Sequence, residues 1–365
     1  MQFELNEEQQ ALADSVAKQA PALFPFQARG RRGAAFDASK WQEIVDLGWV
    51  ALTLPETAGG MGLPVAAAAP IFEALGAHLA LLPYAPSLQA AALLAGDQHL
   101  GLVQAMGEGK AIVVPALGEA GSDFGALPAA CRVEKSATGL QLHGEKRAVA
   151  WGGQATHWIV SALHAGEVSI WLVPADSQGV QIKAYAGLDD KHLADLRFTG
   201  TALAADACIA QGAAAQALLA DADAIALAAA CAEGAGAMAA LHALTLDYVK
   251  TRKQFGKAIG SFQALQHRLA DMLVKVELAK SLAAVALAVA DDAAMRESRL
   301  GLLQAAKVQM CQSARFIGEQ AVQLHGGIGL TNECQASHYA RRLLALDKLH
   351  GDANLHLGRL ADALV

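Results

Sequence analysis

Thr251-Arg252-Lys253-Gln254-Phe255-Gly256-Lys257-Ala258-Ile259-Gly260-Ser261-Phe262-Gln263 decides how the chain is read. It separates two long apolar helical patterns. A cation, an aromatic and two glycines meet in one short turn. Arg252 presents a fork of donors suited to a phosphate or a carboxylate. Gly256 and Gly260 permit a sharp turn or a close approach of backbone. By local chemistry alone this is an ordinary helix-to-helix turn with a solvated basic cluster. Its meaning therefore rests on the rest of the chain.

On both sides of this turn the pattern is helical. Segments are predicted over about 213–250, 262–291, 296–324, 333–349 and 353–364. The first two are apolar at most positions, as in helices buried on several sides of a bundle. The first hundred residues are helical too. Asn6, with Gln9 three residues on, opens a helix that Pro21 is expected to end. Asp37 caps a second helix carrying Trp41, Ile44 and Val45. The run Pro55-Glu56-Thr57-Ala58-Gly59-Gly60-Met61-Gly62-Leu63-Pro64 reads as a loop. A helix follows over 66–78, and Pro83 and Pro86 are expected to break the chain. Between these blocks lie short strands: 111–116, 131–133, 140–142, 157–161, 169–173, 180–182 and 196–198. Their spacing points to a β-barrel or sandwich rather than βαβ units. No GxGxxG follows a strand, so a Rossmann nicotinamide site is not supported. The expected architecture is multidomain α and β: an N-terminal helical domain (1–110), a small central β-barrel domain (111–210) and a C-terminal helical bundle (211–365).

Composition narrows the class. Of 365 residues, 54% are hydrophobic and 17% charged, which supplies a large interior. The net charge of −7, without a basic stripe, argues against nucleic acid as a partner. Five widely spaced cysteines, none in a CxxC pair, argue against a disulfide framework or metal site. They point to a reducing, cytoplasmic setting. The acidic start is not that of a signal peptide. The apolar stretch 213–240 holds Gln216, Asp221, Asp223 and Glu233. A buried helix is expected there, not a membrane span.

Four motifs in order resemble the acyl-CoA dehydrogenase family across nearly the whole chain. They are Leu54-Pro55-Glu56-Thr57-Ala58-Gly59-Gly60-Met61-Gly62; Gly118-Glu119-Ala120-Gly121-Ser122-Asp123; Arg252-Lys253-Gln254-Phe255-Gly256 with Phe262-Gln263 and Ala270-Asp271-Met272; and Gln323-Leu324-His325-Gly326-Gly327-Ile328-Gly329. The resemblance implies FAD as cofactor and an acyl-CoA as substrate, oxidised to the 2-enoyl-CoA. In that chemistry a carboxylate takes the α-proton and the β-hydrogen passes as hydride to flavin N5. Electron-transfer flavoprotein is the implied acceptor. Arg252 resembles the arginine that holds the FAD pyrophosphate across a subunit boundary, and Phe255 the aromatic beside it. Gln323, Gly326 and Gly327 resemble the turn that receives the adenosine part. Ser122 resembles a residue near the flavin and the thioester. Leu117 and Gly118 resemble the strand exit that faces the flavin, and Val149 and Ala150 a second flavin-side strand. The family also implies an oligomer, either a homo-dimer or tetramer or an assembly with a larger paralogous subunit.

The sequence departs from the family at the catalytic base. Where most members carry Glu-Gly after the last long helices, this chain has His350-Gly351. The alternative position in the family, counted back from Phe255, falls on Ala226, which cannot accept a proton. Three candidates remain. Asp352 follows the matching glycine, or merely caps the final helix. His350 stands at the matching position, or bonds a neighbouring carbonyl. Glu233 is the lone acid in an alanine-rich stretch, two helical turns and roughly 10 Å beyond Ala226, or belongs to a structural ion pair. The His350-Gly351 tail is similar to the smaller subunits of two-subunit acyl-CoA dehydrogenases, which act on dicarboxylyl, aromatic or steroid side-chain CoA esters. Two other readings stay open: a flavin monooxygenase or oxidase on the same fold, and a non-catalytic subunit that lends FAD contacts to a partner.

Overall fold

The computed structural model describes residues 7–26, 36–94, 96–121, 127–137, 139–204 and 206–363. Five helices come first: α1 (Glu7–Leu23), α2 (Ala38–Asp46), α3 (Ala69–Ala77), α4 (Tyr84–Leu93) and α5 (Leu100–Gly107). Eight strands follow: β1 (Val113–Ala116), β2 (Arg132–Ser136), β3 (Gly139–Ala150), β4 (His157–His164), β5 (Glu167–Pro174), β6 (Val180–Ala186), β7 (His192–Leu203) and β8 (Cys208–Gln211). Then come α6 (Ala213–Thr251), a hairpin of β9 (Lys253–Gln254) and β10 (Lys257–Ala258), and α7 (Gln263–Ala290), α8 (Arg299–His325), α9 (Gln335–Lys348) and α10 (Ala353–Asp362).

The order helices, sheet, helices is the expected one, and the central element is an eight-stranded sheet. The barrel expected from the strand spacing is not closed. Among the described residues the strand order β6-β7-β3-β2-β4-β5-β8 has two ends, with β1 paired to β4. Strands β3 and β7 run for 12 residues each. Two register shifts in their pairing, after Leu142 and after Lys146, break the alternation that a strand reading depends on. That is why only a fragment of each was legible.

Helix boundaries follow the local chemistry in most places. Asp37 accepts from the Ser39 and Lys40 amides and starts α2, whose buried face is Trp41, Ile44 and Val45. Two prolines behave otherwise than expected. Pro21 lies inside α1, which continues to Leu23. Val16 and Ala20 are buried there, and that burial carries the helix through the missing amide bond. Pro86 sits in the first turn of α4, where its amide would have had no helical partner.

The chain packs as two compact units. One comprises Arg31–Pro64 and Leu81–Ala226. Its core gathers Leu54, Leu93, Val103, Met106, Val113, Ile159, Ile170 and Leu219 from helices and sheet alike. The other comprises Met1–Gly30, Val65–Ala80 and Leu227–Val365. Here α3 crosses α6 at backbone contact. A Cβ on Gly76 would lie 1.9 Å from the Glu233 carbonyl oxygen, and one on Gly236 would lie 2.0 Å from that of Glu73. Only glycine permits that crossing. Helix α6 spans 39 residues and contributes to both units. It is long and apolar enough to cross a membrane, yet 89% of its most apolar window is buried within the protein.

Candidate cofactor site

Arg252 follows the last residue of α6, and its amide donates to the Tyr248 carbonyl at 2.8 Å. The next residues form a tight β-hairpin, where a plain loop was expected. Gln254 pairs with Lys257 and Lys253 with Ala258. The two turn residues, Phe255 and Gly256, have φ of +53° and +78°. This is the mirror-image turn favoured by the twist of short hairpins, and its first position normally takes Asn, Asp or Gly. Placing Phe there drives the ring outward, leaving it 89% exposed. Its ring approaches Phe262 edge-on, 6.1 Å between centroids. Lys257 Nζ lies over the Phe262 ring, 4.3 Å from its centroid. Arg252 is exposed as well.

The fourth motif closes α8. Gly326, with φ +65°, caps the helix by donating to the Val322 and Gln323 carbonyls. Gln323, Gly326 and Gly327 are exposed. Among the described residues, beyond each glycine's immediate chain neighbours, none comes within 4 Å of where a Cβ would stand on either glycine. At Gly327, whose φ is not in the left-handed region, nothing among the described residues calls for glycine. An exposed guanidinium, an exposed aromatic and a bare glycine turn in the same unit suit a dinucleotide's phosphates, rings and close backbone contacts. The residues present therefore fit FAD.

In the other unit, the exit of β1 is fixed by a buried charge cluster. Lys146 Nζ, on β3, donates to Glu119 Oε1 at 2.7 Å, to Ser161 Oγ at 3.0 Å and to the Leu117 carbonyl at 3.1 Å. The Glu119 carboxylate also accepts from the Ala129, Ala130 and Cys131 amides. Burial alone would raise this carboxyl; the Lys146 ammonium and the amides hold it below its ordinary value. Burial pushes the neighbouring Cys131 thiol up to about 11. The Gly118 carbonyl takes the Arg147 amide at 2.9 Å. Leu117 and Gly118 are thus held rigidly. Val149 is buried and Ala150 half-buried near the end of β3. Lys146 was not singled out from sequence. Its only signal is a lysine flanked by Glu145 and Arg147 in a strand, where alternate side chains turn inward. Ser122 lies outside the described residues.

Two of the three candidate bases, the carboxylates, are engaged. Glu233, on α6, is buried and forms an ion pair with Arg342 of α9, itself buried. Asp352 caps α10, accepting from the Asn354 and Leu355 amides, and pairs with Lys348 at 2.9 Å. Its hydrogen bond with Lys348 and those two amides hold its carboxyl below the usual range. His350 has φ +59°, and its carbonyl accepts from His356 Nε2 at 3.0 Å. Arg342 was also missed, since its partner is more than a hundred residues away in sequence.

The family model "Acyl-CoA dehydrogenase, C-terminal domain" matches residues 225–365, and "Acyl-CoA dehydrogenase, N-terminal domain" matches 6–99. The chain is 29% identical to acyl-CoA dehydrogenase FadE27 of Mycobacterium tuberculosis over 315 residues, covering 83% of this chain and 82% of that one. Among solved structures, a chain of the ChsE4-ChsE5 complex from Mycobacterium tuberculosis superposes with a TM-score of 0.88 at 25% identity, covering 100% and 99% of the two chains. The fold is also that of PigA, solved as an FAD complex, with a TM-score of 0.89 at 20% identity over 100% and 99%.

Proposed function

The chain belongs to the acyl-CoA dehydrogenase family, and we propose that it is an FAD-binding subunit in the oxidation of an acyl-CoA thioester to the 2-enoyl-CoA, with a larger paralogous partner supplying the base. The observation that carries this reading is a contrast. Arg252, Phe255, Gln323, Gly326 and Gly327 are exposed, whereas the two candidate carboxylates, Glu233 and Asp352, are committed to an ion pair and a helix cap.

When bound, FAD supplies the hydride acceptor. The residues of this chain hold it. Arg252 would pair with the pyrophosphate through its fork of donors. Phe255 would pack beside it, and the Gly326–Gly327 turn would receive the adenosine part. These three would serve the FAD of an adjacent subunit. The Leu117–Gly118 backbone, fixed by Lys146 and Glu119, would line the flavin of this chain itself. Ser122 would stand near the thioester. A carboxylate whose oxygens are already taken by a guanidinium or by two amides is a poor proton acceptor without breaking those bonds. The partner would therefore provide proton abstraction, as one subunit of a pair like the complex in which the ChsE4-ChsE5 chain was solved. Substrates of the dicarboxylyl, aromatic or steroid side-chain CoA class, and electron-transfer flavoprotein as acceptor, fit such a pair.

The visible spectrum of the purified chain, with FAD added, tests the proposal during titration with a panel of acyl-CoAs. The expected result is bound flavin that bleaches only when the partner subunit is present. Full turnover by the chain alone, undiminished by Glu233→Gln and Asp352→Asn, would remove the partner and both carboxylates from the mechanism.

A further inference from the structure

The Arg252 turn and the Gly326 turn lie 74 residues apart in sequence, yet one residue touches the bases of both. Tyr248, in the last turn of α6, accepts the Arg252 amide on its carbonyl. Its ring stacks on His325, with centroids 4.4 Å apart and planes 23° from parallel. Its hydroxyl donates to the His325 carbonyl at 3.3 Å. His325 is the last residue of α8, immediately before Gly326, and its Nδ1–H donates to the Ala321 carbonyl at 2.9 Å. His325 is buried and Tyr248 half-buried, whereas Arg252, Phe255, Gly326 and Gly327 are exposed.

We propose that the Tyr248–His325 stack is a positioning brace that sets the spacing between the two turns so that they engage one FAD together. This rests on the FAD reading given above. The physical ground is that pyrophosphate and adenosine are parts of one ligand, at a spacing fixed by its bonds. Two arms gain from being linked only when they are held at the matching separation. Helix ends fray, and an exposed arm on a frayed end loses its preorganisation. The stack joins the ends of α6 and α8 one layer beneath the exposed arms. Neither Tyr248 nor His325 needs to touch the cofactor, so both act through Arg252 and Gly326.

The full-length chain tests this through FAD dissociation constants for wild type, Tyr248→Phe, Tyr248→Leu, Arg252→Lys and the Arg252→Lys/Tyr248→Leu double variant, with amide hydrogen exchange on the apoproteins. Tyr248→Phe keeps the stack and is expected to bind FAD within about threefold of wild type, since one neutral hydrogen bond is lost. Tyr248→Leu is expected to weaken FAD by about tenfold, the worth of one aromatic stack. That penalty should shrink in the Arg252→Lys background, because the arm being aligned is already impaired. Exchange in 253–258 and 326–330 should accelerate together in Tyr248→Leu and stay at the wild-type rate in Tyr248→Phe. Wild-type affinity in Tyr248→Leu, or an equal penalty in both backgrounds, would overturn the brace and leave the cofactor reading standing. Failure of the wild-type chain to bind FAD would overturn both. If Tyr248→Leu does not fold, His325→Leu removes the same stack from the other side and is scored by the same outcomes.

Discussion

Phe255 holds φ at +53° and leaves 89% of its surface in solvent. The left-handed backbone costs an L-residue roughly 1–2 kcal/mol, and the exposed ring gains nothing from burial in this chain. Asparagine tolerates that backbone and suits the first position of the turn. Phe255→Asn is therefore expected to stabilise the chain by about 1 kcal/mol in urea unfolding while weakening FAD binding; unchanged FAD affinity would separate the ring from the cofactor. Arg252 makes the complementary case. Among the described residues no hydrogen bond or ion pair engages its side chain. Arg252→Ala should leave unfolding within about 0.5 kcal/mol of wild type and abolish FAD retention on a desalting column. Tight FAD in that variant would remove the assignment. These residues were legible because their role needs exposure at a turn, which a sequence displays. The Glu119–Lys146 and Glu233–Arg342 pairs were not, because a buried ion pair joins residues whose separation along the chain carries no signal.

At the level of elements, helix ends and strand positions were legible where a cap or turn residue marks them, as Asp37 and Asp352 do. They were missed where tertiary burial overrides a local breaker, as at Pro21, or where an element is too short to show a period. Strand β8 has four residues and the β9–β10 hairpin two on each side. The crossing of α3 and α6 shows how strictly one element fixes another. With 2.0 Å between an added Cβ on Gly236 and the Glu73 carbonyl oxygen, the Cβ position is fixed by its own backbone and the facing atom is backbone too, so neither side can yield by rotating a side chain. Gly236→Ala should cost about 3 kcal/mol in urea unfolding, whereas Gly301→Ala, on the open side of α8, should cost nothing. Equal stability of the two variants would contradict the close crossing.

Across the whole molecule, burial lowers the pKa of five described histidines: His78, His99, His157, His192 and His356. An unfolded histidine titrates near about 6.5. As pH falls through that value the unfolded chain takes up protons that the folded chain refuses until its own lower pKa values are reached. Stability is thus greatest above that pH and declines below it. His356 is fully buried; its Nε2–H is used by the His350 carbonyl, and among the described residues its Nδ1 has no hydrogen-bond partner. The unfolding midpoint should fall between pH 7.5 and 5.5, and His356→Gln should flatten that slope; an unchanged slope would remove His356 from the set. The sequence displayed the succession of helices, sheet and helices, but not which segments share a core. A hydrophobic face announces that it is buried without naming its partner, so α3 gave no sign that it packs with the C-terminal helices. Helix α6 follows from this in a further way. Its 39 residues belong to one unit up to Ala226 and to the other from Leu227. Of the four places where the chain passes from one unit to the other, this one lies inside a continuous helix. A protease would find no linker at that passage, and because each unit is built from separate stretches of chain, no single cut there yields either unit whole. The two units are consequently expected to be inherited, expressed and degraded as one piece.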